Sequence, residues 1–346
     1  MRIAHVAPVI YPIPPNTYGG TERVVADLAV AQRALGHEVT VFGPTDSTLS
    51  GIDFVGRYTS LSAQEHVRGA SLPPGFPAQL EAEQLCDLVE RANSFDVVHL
   101  HGSAHASGVC AALRVPTFRT IHWRADEPDH IQHFDSFPNE RIIAISARQA
   151  QDVPAHCLAG VVHHGLPAER YRPAGEKGAY LAFIGRMTDQ KRPDRAIELA
   201  RALQMPLRLA GPVDLGNPTY FDEVVVPHLN ENIVYVGSLT DAEKQDFLAN
   251  SAALVFPIDW PEPFGLVMIE AMACGVPVIA WDNGSVREVV DNDVTGIVVN
   301  SVKEASGRWD KVRAIDAATI RHAFERRFSV DRMATAVLEL YRETAP

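Results

Sequence analysis

Short apolar runs recur along this chain, each followed by a stretch with helical periodicity, and few folds accept that alternation. Strands of a parallel sheet are covered on both faces, so they read as continuous apolar runs rather than as alternating ones. Ile3 to Ile10 reads as the first such strand. A loop rich in Pro and Gly follows, Tyr11 to Gly20. Thr21 to Leu35 reads as a helix with Val24, Val25, Leu28 and Leu35 on one face, Thr21 as its N-cap and Gly36 as its stop. Val39 to Phe42, Val97 to Leu100, Val115 to Ile121 and Arg141 to Ile145 continue the series. The polar segment Gly56 to Pro77, with three prolines, predicts a long loop or irregular insert.

The stretch Leu166 to Gly178 holds two prolines and two glycines among polar residues and reads as a linker. The same architecture then starts again. Strands are expected at Tyr180 to Ile184, Leu207 to Ala210, Ile233 to Val236, Ala253 to Phe256, Val278 to Trp281 and Gly296 to Val299. Helices are expected at Arg192 to Leu203, Asp241 to Asn250 and about Phe264 to Ala273. A final helix, Val330 to Thr344, is amphipathic through Met333, Val337 and Leu340. A chain of 346 residues suits two domains. The expected division is an N-terminal domain over 1–170, a C-terminal domain over 171–328, and a terminal helix over 329–346. Open sheets of this kind bind ligands beyond the carboxyl ends of their strands.

Composition removes several function classes. Asp and Glu number 43 against 31 Lys and Arg, a formal charge of −12, so no global field draws the chain to nucleic acid. Basic clusters with interleaved aromatics are missing too. Cys86, Cys110, Cys157 and Cys274 are scattered and form no C-x-x-C pair, which fits a reducing cytoplasmic setting. No run approaches the length of a membrane span, and the early prolines do not suit a signal peptide. There is no phosphate-loop motif, no nucleophile elbow, and no G-x-G-x-x-G after the first strand.

Three segments carry chemistry. In W-P-E-P-F-G-L-V-M-I-E-A-M-A-C-G, Trp260 to Gly275, a helix start is expected near Phe264, Gly265 and Leu266, between Glu262 and Glu270. The free N–H groups and dipole of that start suit a diphosphate. Glu270, about one turn and a half into the helix, could accept from two vicinal hydroxyls such as a ribose offers. Read by spacing alone, the two could equally be a solvated loop acid and a helix-surface acid. In F-I-G-R-M-T-D-Q-K-R-P-D, Arg186 and Lys191 follow a strand end, where two cations can neutralise a leaving diphosphate without a metal. In Tyr18-Gly19-Gly20-Thr21-Glu22, two glycines allow close backbone approach to a ligand, or simply make a tight turn. His99 and His101 share a strand face, but a metal reading needs a third ligand that the sequence does not identify. His122 closes the strand V-P-T-F-R-T-I-H, while His163 and His164 read as structural.

These segments together resemble glycosyltransferase family 4, over nearly the whole chain. The Glu-to-Glu segment looks like the family's donor-site signature, F-I-G-R-M-T-D-Q-K like its phosphate-binding loop, and F-S-V-D-R-M-A…L-E-L-Y like its terminal stretch. The resemblance implies a GT-B fold, two Rossmann-like α/β domains with doubly wound parallel sheets facing across a cleft. It implies that Gly19 and Gly20 line the donor phosphates and that Arg186 and Lys191 grip the diphosphate with the N–H groups of Phe264, Gly265 and Leu266. Glu270 would hold the ribose, Glu262 the donor sugar hydroxyls, and His122 would touch the sugar ring near its reacting face. Gly237 and Leu239, in Val236-Gly237-Ser238-Leu239, would lie beside the nucleobase. The final helix would cross back to the first domain. Where the family often has Gly-Gly and then Pro-Glu, this chain has D-N-G-S-V-R-E, with Ser285 at the second glycine and Glu288 retained.

The implied activity is retaining transfer of a hexose from a nucleoside-diphosphate sugar, UDP-glucose by default, to a small-molecule or glycan acceptor. The acceptor could be a lipid-linked sugar, an aromatic or pterin-like metabolite, or a polysaccharide end. No cofactor and no metal site are expected. Two other readings stand beside it: a sugar-nucleotide epimerase of the same two-domain shape, and a catalytically silent binding subunit.

Overall fold

Among the described residues, thirteen strands fall into two wholly parallel sheets, one in each of two units. The computed structural model describes residues 1–16, 19–175, 178–214 and 216–343, and of His105 only the backbone. The first unit comprises Met1–His164 with Val330–Pro346, and the second comprises Gly165–Ser329.

The first sheet holds β1 (Arg2–Val6), β2 (Glu38–Phe42), β3 (Asp53–Val55), β4 (Val97–Leu100), β5 (Thr117–Thr120), β6 (Ile142–Ala144) and β7 (Leu158–Val161). Its order is β3-β2-β1-β4-β5-β6-β7. The second sheet holds β8 (Tyr180–Ile184), β9 (Leu207–Ala210), β10 (Ile233–Tyr235), β11 (Ser251–Phe256), β12 (Val278–Trp281) and β13 (Gly296–Val299), in the order β10-β9-β8-β11-β12-β13. In each sheet the winding reverses once, between β1 and β4 in the first and between β8 and β11 in the second. A crevice opens at such a reversal, because the connections on either side leave in opposite directions. The cores explain the apolar runs: Ile3, Ala4, Val98 and Leu100 are fully buried in the first unit, as are Leu181, Leu209, Ala253 and Ile279 in the second.

The strands differ from expectation mostly at their ends. β1 stops at Val6, before Pro8, and does not run to Ile10. Thr21 is not an N-cap: the helix is Gly20–Ala34, and Gly19 at φ +145° turns the chain into it. Gly36, at φ +88°, does lie just past its end. The expected insert Gly56 to Pro77 is largely ordered. It contains the helix Leu61–Arg68, capped by the Ser60 hydroxyl and closed by Gly69 in the left-handed region, and the start of the helix Phe76–Arg91. Pro77 there sits in a first turn, where a missing N–H costs nothing, so it opens a helix rather than breaking one. The last helix is Val330–Glu343 and packs on Gly20–Ala34; Thr344 lies outside the described residues, as do Glu176 and Lys177 of the linker. Among the described residues no helix is long and apolar enough to cross a membrane.

Candidate functional site

In the second unit, β8 and β11 flank the winding reversal, and the loops leaving their carboxyl ends carry the two chemically distinctive segments. Arg186 follows β8 by two residues and is half-buried. Lys191 lies further along the same loop, ahead of the helix Pro193–Leu203. The loop after β11 brings Trp260 and Glu262 to it. Lys191 Nζ is ion-paired with Glu262 Oε2 and lies 4.6 Å from the centre of the Trp260 indole. Trp260 Nε1 donates to the same Oε2 at 2.9 Å. Glu262 is 8% exposed, so it is no solvated loop acid. Its Oε1 takes no hydrogen bond from the described residues.

The chain around Glu262 is fixed from behind by the turn after β12. A Cβ on Gly284 would come within 2.3 Å of the backbone N and O of Glu262, and Gly284 has φ +57°. Ser285 donates from its N–H to the Glu262 carbonyl at 3.0 Å and from its hydroxyl to the Phe264 carbonyl at 2.9 Å. The departure at Ser285 therefore leaves the turn intact and adds a strut that glycine could not supply.

The helix expected at about Phe264 is Leu266–Ala273. Phe264 is buried ahead of it, and Gly265 is its N-cap at φ +82°, where a side chain would strain the backbone. No side chain caps this start, and while the Met268 N–H donates to the Gly265 carbonyl at 3.0 Å, the N–H groups of Leu266 and Val267 ahead of it face outward along the helix axis, where an anion is favoured. Glu270 is the fifth residue of the helix and only 3% exposed, which removes the helix-surface reading. Its Oε1 accepts from Lys244 Nζ at 2.7 Å. Lys244 stands on the helix Asp241–Ala249, whose start is held by a capping box between Thr240 and Glu243. Gly237, at φ +80°, accepts at its carbonyl from Gly211 N–H at 2.9 Å, and Leu239 lines an open cavity of about 810 Å³ with Tyr180, Arg208 and Val236.

Gly19, Gly20 and His122 belong to the first unit. Gly19 is buried, and a Cβ there would meet Pro15 at 2.8 Å, so the loop closes on it tightly. Gly20 is exposed at the first helical position, while Tyr18 lies outside the described residues. Burial of Glu22, in the first turn, pushes its carboxyl up from the ordinary range.

His122 follows β5 and ends a buried row of histidines. Gln32 Oε1 lies 2.7 Å from His5 Nε2, His5 Nδ1 lies 2.9 Å from His101 Nε2, and His101 Nδ1 lies 3.0 Å from His122 Nε2. His164, read from sequence as structural, stacks on His122 with ring centres 5.2 Å apart. His5 is the third ligand that a metal reading of His99 and His101 lacked: one nitrogen from each of the three falls within 4.8 Å of the others. All six of their ring nitrogens are nevertheless engaged in hydrogen bonds, His99 to Tyr341 and Thr120, the others along the row. Sequence could not place His5 beside His99, because only the β1–β4 register pairs them.

Burial lowers the basicity of every ring in this row. His5 is brought down to about 4 and His122 to about 3, and His99, His101 and His164 fall well below the ordinary value. The native protein then binds fewer protons than the unfolded chain at pH values below about 6.5 and above these lowered values. Stability is therefore full above that window and is lost as pH falls through it. Each histidine held neutral contributes up to about 1.4 kcal/mol per pH unit. Urea unfolding at pH 7.5 and 5.5 is expected to show a clear loss at the lower pH, and a His5→Leu variant a shallower one; equal stability at both pH values would contradict the buried neutral row.

Two family descriptions match adjoining parts of the chain: Glycosyltransferase Family 4 over residues 18–170 and Glycosyl transferases group 1 over residues 169–313. A D-inositol 3-phosphate glycosyltransferase from Streptomyces bingchenggensis is 25% identical, across 99% of this chain and 88% of its own. A phosphatidyl-myo-inositol mannosyltransferase from Mycobacterium leprae is 26% identical, across 100% and 97%. Among solved structures, AviGT4, a glycosyltransferase of avilamycin A biosynthesis, superposes with a TM-score of 0.73 at 23% identity, covering 99% of this chain and 97% of that one. The Anabaena HepE complex with UDP-glucose gives 0.73 at 18% identity, covering 99% and 100%. These likenesses establish the GT-B fold for the two parallel-sheet units.

Proposed function

The chain belongs to glycosyltransferase family 4, and we propose that it transfers a hexose from a nucleoside-diphosphate sugar to an acceptor hydroxyl, with retention and without a metal ion. One observation carries this reading. Around the uncapped start of Leu266–Ala273, Lys191 is held against Glu262 and Lys244 against Glu270, all within one unit. A solvated surface would not bury two carboxylates this way. A diphosphate needs positive charge, a ribose needs an acceptor for its hydroxyls, and a sugar ring needs another. Lys191 with Arg186, Glu270 and Glu262 supply those three in turn.

In this reading the bond from the anomeric carbon to the diphosphate oxygen breaks, through an oxocarbenium-like state. The acceptor oxygen bonds to the same face, and its proton passes to the departing diphosphate. Lys191, Arg186 and the helix N–H groups stabilise the charge that develops on that leaving group. No side-chain nucleophile is assigned. Glu262 orients the sugar and the Trp260 indole keeps Lys191 in place. UDP-glucose is the first donor to try. Inositol phosphates are the first acceptors, since two relatives are named for inositol compounds.

The test is a panel of UDP-, GDP- and ADP-sugars in EDTA, read by thermal shift and nucleotide release. One donor is expected to stabilise the protein, by about 2.7 kcal/mol at a hundred times its dissociation constant, and to release nucleotide slowly. Stabilisation that disappears with chelator would overturn metal independence. Stabilisation with no release, even with acceptors present, would leave only a binding subunit.

A further inference from the structure

Near the winding reversal of the first sheet, Gln32, His5, His101 and His122 form one unbroken line of hydrogen bonds, with links of 2.7, 2.9 and 3.0 Å. We propose that Gln32, acting through His5 and His101, fixes the tautomer of His122 so that its Nδ1 presents a lone pair and never a proton.

The argument is a count of protons. A neutral imidazole carries one N–H, so one ring nitrogen donates and the other accepts. Gln32 Oε1 can only accept, so the His5 proton sits on Nε2. His5 Nδ1 must then accept, which puts the His101 proton on Nε2. By the same step His101 Nδ1 accepts and the His122 proton sits on Nε2. His122 Nδ1 is left bare, and it is a buried atom with no hydrogen-bond partner among the described residues. The alternation holds only while each ring is neutral, and burial keeps all three so.

The surroundings close off other exits for the proton. His99 packs 4.1 Å from the His101 ring but spends both nitrogens on Tyr341 and Thr120, and Tyr341 in turn meets the line only at Gln32. His164 stacks on His122 with only 13° between the rings, which fixes the ring plane. The Gln32 side chain is fully buried, on the helix Gly20–Ala34. Turning its amide over would move every proton in the line to Nδ1, so amide orientation at one end dictates what His122 offers at the other.

The consequence rests on the transferase reading: a neutral His122 whose one proton is spent on His101 cannot serve that reaction as an acid. Gln32, His5 and His101 are then positioning residues. The tautomer itself is a property of the free protein and needs no sugar to measure.

The experiment is a long-range proton–nitrogen correlation spectrum of protein labelled with nitrogen-15 histidine, with His122 assigned through His122→Asn. The wild type is expected to show pyrrole-like Nε2 and pyridine-like Nδ1 at His122. In Gln32→Met, which keeps the side-chain length and removes the acceptor, the His122 Nδ1 signal is expected to move toward the pyrrole-like position. A proton on Nδ1 in the wild type, or an unchanged His122 pattern in folded Gln32→Met, overturns the proposal. If Gln32→Met does not fold, the wild-type spectrum decides. The donor panel tests the transferase reading separately.

Discussion

Lys191→Ala is expected to lower turnover by about 10²–10³-fold, with a much smaller change in donor affinity. That size is typical for removing one preorganised donor aimed at charge that develops in the transition state. A nucleoside diphosphate gains negative charge as the glycosyl bond breaks, so the stabilisation grows between ground and transition state and falls on kcat. Lys191 is well prepared for that task. Its ammonium is held by the Glu262 carboxylate and the Trp260 indole, so little reorganisation is needed when the donor arrives. Arg186 remains in the variant and sets the upper limit of the loss. One side effect needs a control, because alanine leaves the buried Glu262 carboxylate without its cation, and breaking such a pair destabilises a protein. Lys191→Ala combined with Glu262→Gln removes the orphaned charge, and Lys191→Arg keeps a cation. Turnover would be measured at saturating donor, with circular dichroism to establish folding. A folded Lys191→Ala within about threefold of wild-type kcat would remove Lys191 from the chemistry.

The fold was legible because parallel strands announce themselves. L-A-F-I, A-A-L-V-F and V-I-A-W are apolar on both faces and need no tertiary information to be read. What escaped were elements whose signal is short or ambiguous. β3 is three residues long, and β7 reads L-A-G-V, with a glycine that reads as a loop. The helix Phe76–Arg91 was hidden by counting Pro73, Pro74 and Pro77 as loop formers, although Pro77 sits where a helix tolerates proline best.

The candidate site was legible in one sense only. A linear motif carries its own residues, so Arg186, Lys191, Glu262 and Glu270 could be named from their segments. It does not carry the residues that touch those side chains from elsewhere in the fold. Lys244 comes from a neighbouring helix 26 positions earlier than Glu270, and Ser285 reaches Phe264 across 21 positions. Nothing in T-D-A-E-K marks its lysine as a partner for a buried acid. The histidine row is the clearest case: His5, His101 and His122 come from the edges of three strands and meet only because the sheet orders β1, β4 and β5 side by side.

Glu270→Ala should produce the complementary loss, in donor affinity rather than turnover, by about 10–10²-fold. Hydrogen bonds to a charged acceptor contribute roughly 1.5–3 kcal/mol each, and a ribose offers two vicinal hydroxyls to the one carboxylate. Part of that is offset here, because Oε1 already accepts from Lys244 and must share it. On the proposed reading the ribose lies remote from the bonds that break and form, so a contact from Glu270 would be equal in ground and transition states and its loss would fall on binding. Glu270→Gln keeps the shape and one acceptor oxygen, and it is expected to lose less than alanine. Lys244 loses its partner in both variants, so the difference between them isolates the hydroxyl contact from the loss of the ion pair. Donor dissociation constants from calorimetry, set beside kcat at saturation, give the readout. If Glu270→Ala binds donor normally but turns over poorly, the carboxylate acts on the sugar or the diphosphate and not on the ribose.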